Sequence, residues 1–121
     1  MLPVERYQRF STAGVLTTGQ SSLTIMPAVA GYTYVVVNGT LTCLVSAAQG
    51  AYLGDSSGTK KALQIAASVT TNEQKAVQLV EGYPVTPSEA LVLKPDSAGP
   101  SFHAIVEGYI LKNSAVLGTT T

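Results

Sequence analysis

Few side chains here have the chemistry of a catalyst, and their spacing limits what they can do together. His103 is the only histidine and Cys43 the only cysteine. A histidine base needs a nucleophile and an orienting acid within hydrogen-bond reach. Glu107 lies four residues beyond His103, and along a strand that spacing is about 13 Å, too far for a direct bond. Cys43 alternates with Leu41 and Val45, a pattern that makes it a small core residue rather than an activated thiolate. One histidine and one cysteine cannot anchor a zinc site, which takes three or four ligands. Asp55-Ser56-Ser57-Gly58 is rich in oxygen but lacks the alternating carboxylates and closing glutamate of a calcium loop. It reads as a turn. The run from Gly54 to Lys61 has glycine and lysine without phosphate-loop spacing. The sequence therefore predicts no catalytic residue, no metal site and no cofactor.

The elements that would position these groups are strands. From Phe102 to Leu111, one alternating set is Phe102, Ala104, Val106, Gly108 and Ile110, wholly core-like. The other set, His103, Ile105, Glu107, Tyr109 and Leu111, is mixed, as at a subunit contact or a half-covered sheet. Tyr32 to Val45 is rich in aromatic and β-branched residues and is interrupted by Asn38-Gly39. That pair tolerates a type I′ turn and predicts a hairpin, which also accounts for the glycosylation-like Asn38-Gly39-Thr40. Further strands are predicted at 22–26, 60–70 and 90–94, with a loop over 50–59 and a turn over 95–100. Asn72 could cap a short helical turn through 76–80, though a strand is favoured there. Residues 1–20 show no sustained period and read as an extended arm. The expected organisation is an arm over 1–20, a domain over 21–112 and a mobile tail over 113–121. The fold class is all-β: a small single-domain β-sandwich, jelly-roll-like, with an extended N-terminal arm.

Composition points toward assembly. The 121 residues suffice for one domain with a real core. Only 12% are charged, against about 25% in ordinary soluble domains. Seven basic and seven acidic residues cancel, which argues against binding nucleic acid or an anionic membrane through bulk charge. From Phe10 to Gly54 no Asp, Glu, Lys or Arg occurs. A surface with so little charge is poorly protected against association and is expected to be covered by copies of itself or by a partner. The lone cysteine fits synthesis in a reducing cytosol. No secretory leader and no apolar run near the ~20 residues of a membrane span are evident.

Pro87-Ser88-Glu89-Ala90-Leu91 followed by Val106-Glu107-Gly108-Tyr109, with the Gly31-Tyr32-Thr33-Tyr34-Val35 strand before them, resembles the small structural proteins of tailed bacteriophages. The likeness is to head decoration, or cement, proteins built as compact β-sandwiches, and covers about residues 22–112. It implies a homo-oligomer, often a trimer, seated on the major capsid protein at the virion surface after synthesis in the host cytoplasm. On this reading Tyr7 and Phe10 of the arm contact the capsid. Ile105, Tyr109 and Leu111, or the Tyr32 and Tyr34 strand, pack between copies. The alternative is a receptor- or glycan-binding module of a phage tail or fibre, with Tyr52 and the loop 55–59 as its exposed cluster.

Overall fold

The structure, a computed structural model, describes residues 7–45, 50–65, 71–97 and 99–112. The expected tail over 113–121, the first six residues of the expected arm and the end of the 60–70 strand lie outside the described residues. Eight strands follow in order: β1 (Tyr7–Leu16), β2 (Leu23–Met26), β3 (Tyr32–Val45), β4 (Ala51–Asp55), β5 (Lys61–Ile65), β6 (Gln74–Pro84), β7 (Leu91–Pro95) and β8 (Ser101–Lys112). Among the described residues there is no helix, and so none long and apolar enough to cross a membrane.

The strands form two four-stranded sheets, β1-β8-β3-β6 and β2-β7-β4-β5, with every pairing antiparallel. First pairs with last, second with seventh, third with sixth and fourth with fifth. The chain is thus one long two-stranded ribbon whose tip is the β4–β5 hairpin. Folded over, the ribbon is sealed by the β3–β8 and β4–β7 contacts. This is the jelly roll, and the expected all-β sandwich is the observed fold.

Alternation places the core. From the first sheet come Leu16, Val36, Leu41, Cys43, Phe102, Ala104 and Val106; from the second, Leu53, Leu63, Ile65, Leu91 and Leu93. The inner set expected for Phe102–Ile110 is the inner face of β8. Cys43 is fully buried, and burial, with a smaller contribution from the Glu73 charge, pushes its thiol above the ordinary value.

Three local readings change. The loop expected over 50–59 is strand β4 through Asp55, all five of its residues buried because they lie between β5 and β7, and only the residues after Asp55 turn. The Tyr32–Val45 segment is not a hairpin but one continuous strand of 14 residues. Neither Asn38 nor Gly39 takes positive φ. The register shifts between Val36 and Asn38, a bulge. Gly39 serves the packing of the sheets instead, since a Cβ there would stand 3.1 Å from a Leu53 methyl. Asn72 caps no helix. It sits in a turn at φ 72°, and its N–H donates to the Cys43 carbonyl at 2.7 Å, which leads the chain into β6 beside β3. The strand favoured over this region is β6.

The segment read as an arm also differs. Residues 7–16 are β1, in unbroken register with β8 from Tyr7↔Leu111 to Leu16↔Phe102. Phe10 packs against the core, its ring edge-on to Tyr34 at 5.8 Å and 85°. Phe10 is half-buried, so Phe10→Ala should cost about 2 kcal/mol, below the range for a fully buried phenylalanine. Deleting residues 1–12, which removes more than half of β1, should lower the melting temperature further. A thermal melt that is unchanged after the deletion would mean that β1 adds nothing to the fold.

Candidate functional site

Two regions concentrate polar or exposed side chains. The first is the ribbon tip. β4 ends at Asp55, whose side chain is fully buried. One carboxylate oxygen accepts the Thr59 N–H at 2.9 Å and the Ser57 hydroxyl at 3.1 Å. The other accepts the Lys60 N–H at 3.0 Å, the Thr86 N–H at 3.1 Å and the Thr86 hydroxyl. Burial alone would raise this carboxyl. The Thr86 donors, the Lys60 N–H and the Ser57 hydroxyl outweigh it and hold the group below the usual carboxylate range. Glu89 makes a second tie, accepting the Ser57 N–H at 2.9 Å and the Ser56 hydroxyl at 3.1 Å through one oxygen. The acids are thus spent on fixing the tip to the β6–β7 connection. The turn reading holds, and among the described residues no group of three or more His, Cys, Asp or Glu is placed to bind a metal.

Tyr52 does not offer the stacking platform expected of a glycan site. It is 7% exposed, its hydroxyl donates to the Asp55 carbonyl at 2.9 Å, and Lys61 Nζ lies 4.9 Å from its ring centroid. Burial, then the charges of Asp55 and Glu89, push its hydroxyl above the ordinary value. Beside it opens a cleft of about 450 Å³ lined by Gln64, Lys61, Lys75 and Asp96, a mixed polar surface with no convergent set of groups.

The second region is the outer face of β1-β8-β3-β6. Its residues fall into rows across the strands: Val15, His103, Thr42 and Gln74; then Ala13, Ile105, Thr40 and Ala76; then Ser11, Glu107, Asn38 and Gln78; then Arg9, Tyr109, Val35 and Pro84. His103 is half-buried between Val15 and Thr42. Glu107 stands two rows away and accepts from Asn38 Nδ2 at 3.3 Å. Cys43 points into the core from the opposite side of the sheet, so the sheet itself separates it from His103.

The expected contact residues divide on burial. Ile105 is 46% exposed, and Tyr32 and Tyr109 are half-buried. Tyr34 is 2% exposed and Leu111 9%. Tyr34 belongs to the core, where its hydroxyl donates to the Pro27 carbonyl and burial raises it above the ordinary value. A side chain so enclosed cannot be a direct contact between folded copies, and the strand alternation explains why. Tyr34 falls on the same face as Val36 and Leu41 once the bulge is counted. Tyr7 stands at the first position of β1, opposite Leu111. Sequence reasoning missed Val15 and Thr40 as members of this face, because the sheet order that brings β1 and β3 to either side of β8 is not written in local pattern.

The class defined by strand order and pairing is the eight-stranded jelly-roll sandwich. A solved structure described as the acidic stable capsid structure of Helicobacter pylori bacteriophage KHP30 contains a chain of this fold. The two superpose with a TM-score of 0.58 over 85% of this chain and 92% of that one, at 12% identity. A chain from Bacillus endospore appendages, described as a novel family of disulfide-linked pili, matches over 88% of each chain at 11% identity and a TM-score of 0.44. No protein-family model and no curated protein matches the sequence.

Proposed function

We propose that this chain is a non-enzymatic structural protein of a bacteriophage virion, which decorates a capsid and stabilises it by bridging shell subunits. The observation that carries this reading is the jelly roll shared, over nearly the full length of both chains, with a chain of a phage capsid structure. The Phe10–Gly54 stretch without charge supports it independently, since interface cores are depleted of charge. A protein that binds only the assembled lattice stabilises it by mass action, so the shell resists heat in proportion to occupancy. In this reading the chain acts as a homo-oligomer on the major capsid protein at the virion surface. The contact with the shell is assigned to the N-terminal segment that ends at Tyr7.

The test is to add purified protein to heads that lack it, from a phage that encodes it. It should sediment with assembled shells, ignore unassembled shell protein and raise the shell's melting temperature. Protein left wholly in the supernatant would overturn the proposal. Removing residues 1–6 leaves β1 whole, so folding should be unchanged while shell binding is lost. Retained binding would reject the role given to this segment.

A further inference from the structure

We infer that the outer face of β1-β8-β3-β6 is the docking surface for a second copy of this chain, centred on Ile105. The inference deepens the assembly reading above by naming the surface through which copies pair. Among the described residues, four of the five exposed large hydrophobic side chains, Val15, Leu44, Val45 and Ile105 at 39–46% exposure, belong to β1, β3 and β8 of this one sheet. They gather toward the end of the face where Val15, Thr42 and Val45 stand. Around Ile105 the cross-strand neighbours Ala13 and Thr40 are small and uncharged, so the surface is flat enough for another sheet to approach to the ~10 Å of face-to-face packing.

Charge and area favour a copy of the same chain over a charged partner. The four rows of the face carry one cation, Arg9, and one anion, Glu107. A face with zero net charge and one charge of each sign is not repelled by its own copy. A two-fold axis requires this, because the same patch meets itself. Val35 of the last row is covered, at 3% exposed, while Val45 extends the open face beyond Val15. Four strands about 4.8 Å apart, with rows about 6.8 Å apart along them, give an open footprint of roughly 500 Å² once side-chain width is included. Corrugation raises the accessible area toward the ~800 Å² that one partner contributes to a stable interface.

The experiment is the mass of the full chain by light scattering and sedimentation over a concentration series, for wild type and for Ile105→Asp. Wild type should be two or more copies. Ile105→Asp, which buries a carboxylate at the centre of the contact, should weaken association by about tenfold or more while its thermal melt stays cooperative. If Ile105→Asp does not fold, Ala13→Arg, on the exposed neighbouring position, decides in its place. Val29→Asp, at the exposed hydrophobic residue outside the sheet, should leave the mass unchanged. A monomeric wild type, or a variant that associates as well as wild type, overturns the inference. So does a face that is covered only when shells are added, which would make the occupant shell protein. The two readings fail separately. A monomer that sediments with shells removes only self-docking, and a face-paired oligomer that ignores shells removes only the capsid role.

Discussion

Replacing Asp55 by asparagine is expected to destabilise the fold by about 3 kcal/mol, although the two side chains have nearly the same shape. The reason lies in the donors. Each carboxylate oxygen receives at least one backbone N–H, from Thr59 on one side and from Lys60 and Thr86 on the other. The Ser57 and Thr86 hydroxyls could turn to become acceptors, but a backbone N–H cannot. An asparagine flipped either way therefore sets its NH2 group against a fixed donor in a site without water access. A loss of that size should lower the melting temperature by about 10 °C. Asp55→Ala should do at least as much, since it strands three backbone N–H groups at once. A melting temperature for Asp55→Asn within about 2 °C of wild type would show that neutral donors alone hold the tip.

The same carboxylate sets part of the acid limit of the protein. Its value in the folded chain is depressed, so the unfolded chain binds the proton more readily. The stabilisation it gives is complete well above the unfolded carboxyl value of about 3.9. It declines as pH falls through that value and is gone below the lower folded one. Asp55→Asn should remove this component, so that wild type and variant converge in stability toward low pH and differ most near neutrality. Parallel curves at all pH values would mean that the charge of Asp55 plays no part.

What the sequence revealed and what it hid follow from how a jelly roll is wired. Alternation is local, so the inner and outer sets of β8 could be read directly, as could Cys43 as a core residue and the turn at Asp55–Thr59. Pairing is not local here. Only β4 and β5 are both consecutive and paired, and the joining loop carries no Asn-Gly. The strongest hairpin pattern in the chain, Asn38-Gly39, instead marks a bulge in a long strand, where the small residue is demanded by Leu53 of the opposite sheet. Residues 7–16 failed to read as a strand for a related reason. Their inner positions are Phe10, Thr12, Gly14 and Leu16, and Gly14 is small because a Cβ would sit 3.0 Å from a Leu23 methyl. Polar and small residues at inner positions erase the alternation. Tyr34 was misplaced as a contact because an aromatic on a strand fits core and interface equally until the partner strands are known.

Gly108 is the position where a single methyl group should do most harm. It forms part of the Val106-Glu107-Gly108-Tyr109 pattern, yet it is not among the positive-φ glycines, so its requirement is space and not backbone freedom. A Cβ on Gly108 would lie 1.9 Å from the Val35 carbonyl oxygen and 3.2 Å from the Phe10 ring. The carbonyl cannot retreat cheaply. β8 runs between β1 and β3 here, with Phe10 on one side and Val36 on the other, and the bulge after Val36 fixes how close β3 comes. Admitting the methyl means parting the β3–β8 ladder at the centre of the larger contact between sheet halves, or driving Phe10 from Tyr34. Overpacking of this kind costs about 1–3 kcal/mol where side chains can yield, and here backbone must yield, so Gly108→Ala should lose about 3 kcal/mol or fail to fold. Gly39→Ala provides the contrast. Its new methyl meets the end of the Leu53 side chain at 3.1 Å, which can turn aside, and the loss should stay near 1 kcal/mol. Comparable melting temperatures for the two variants would show that β3 and β8 can separate without cost, and the glycine of this pattern would then need a reason other than the close approach of Val35.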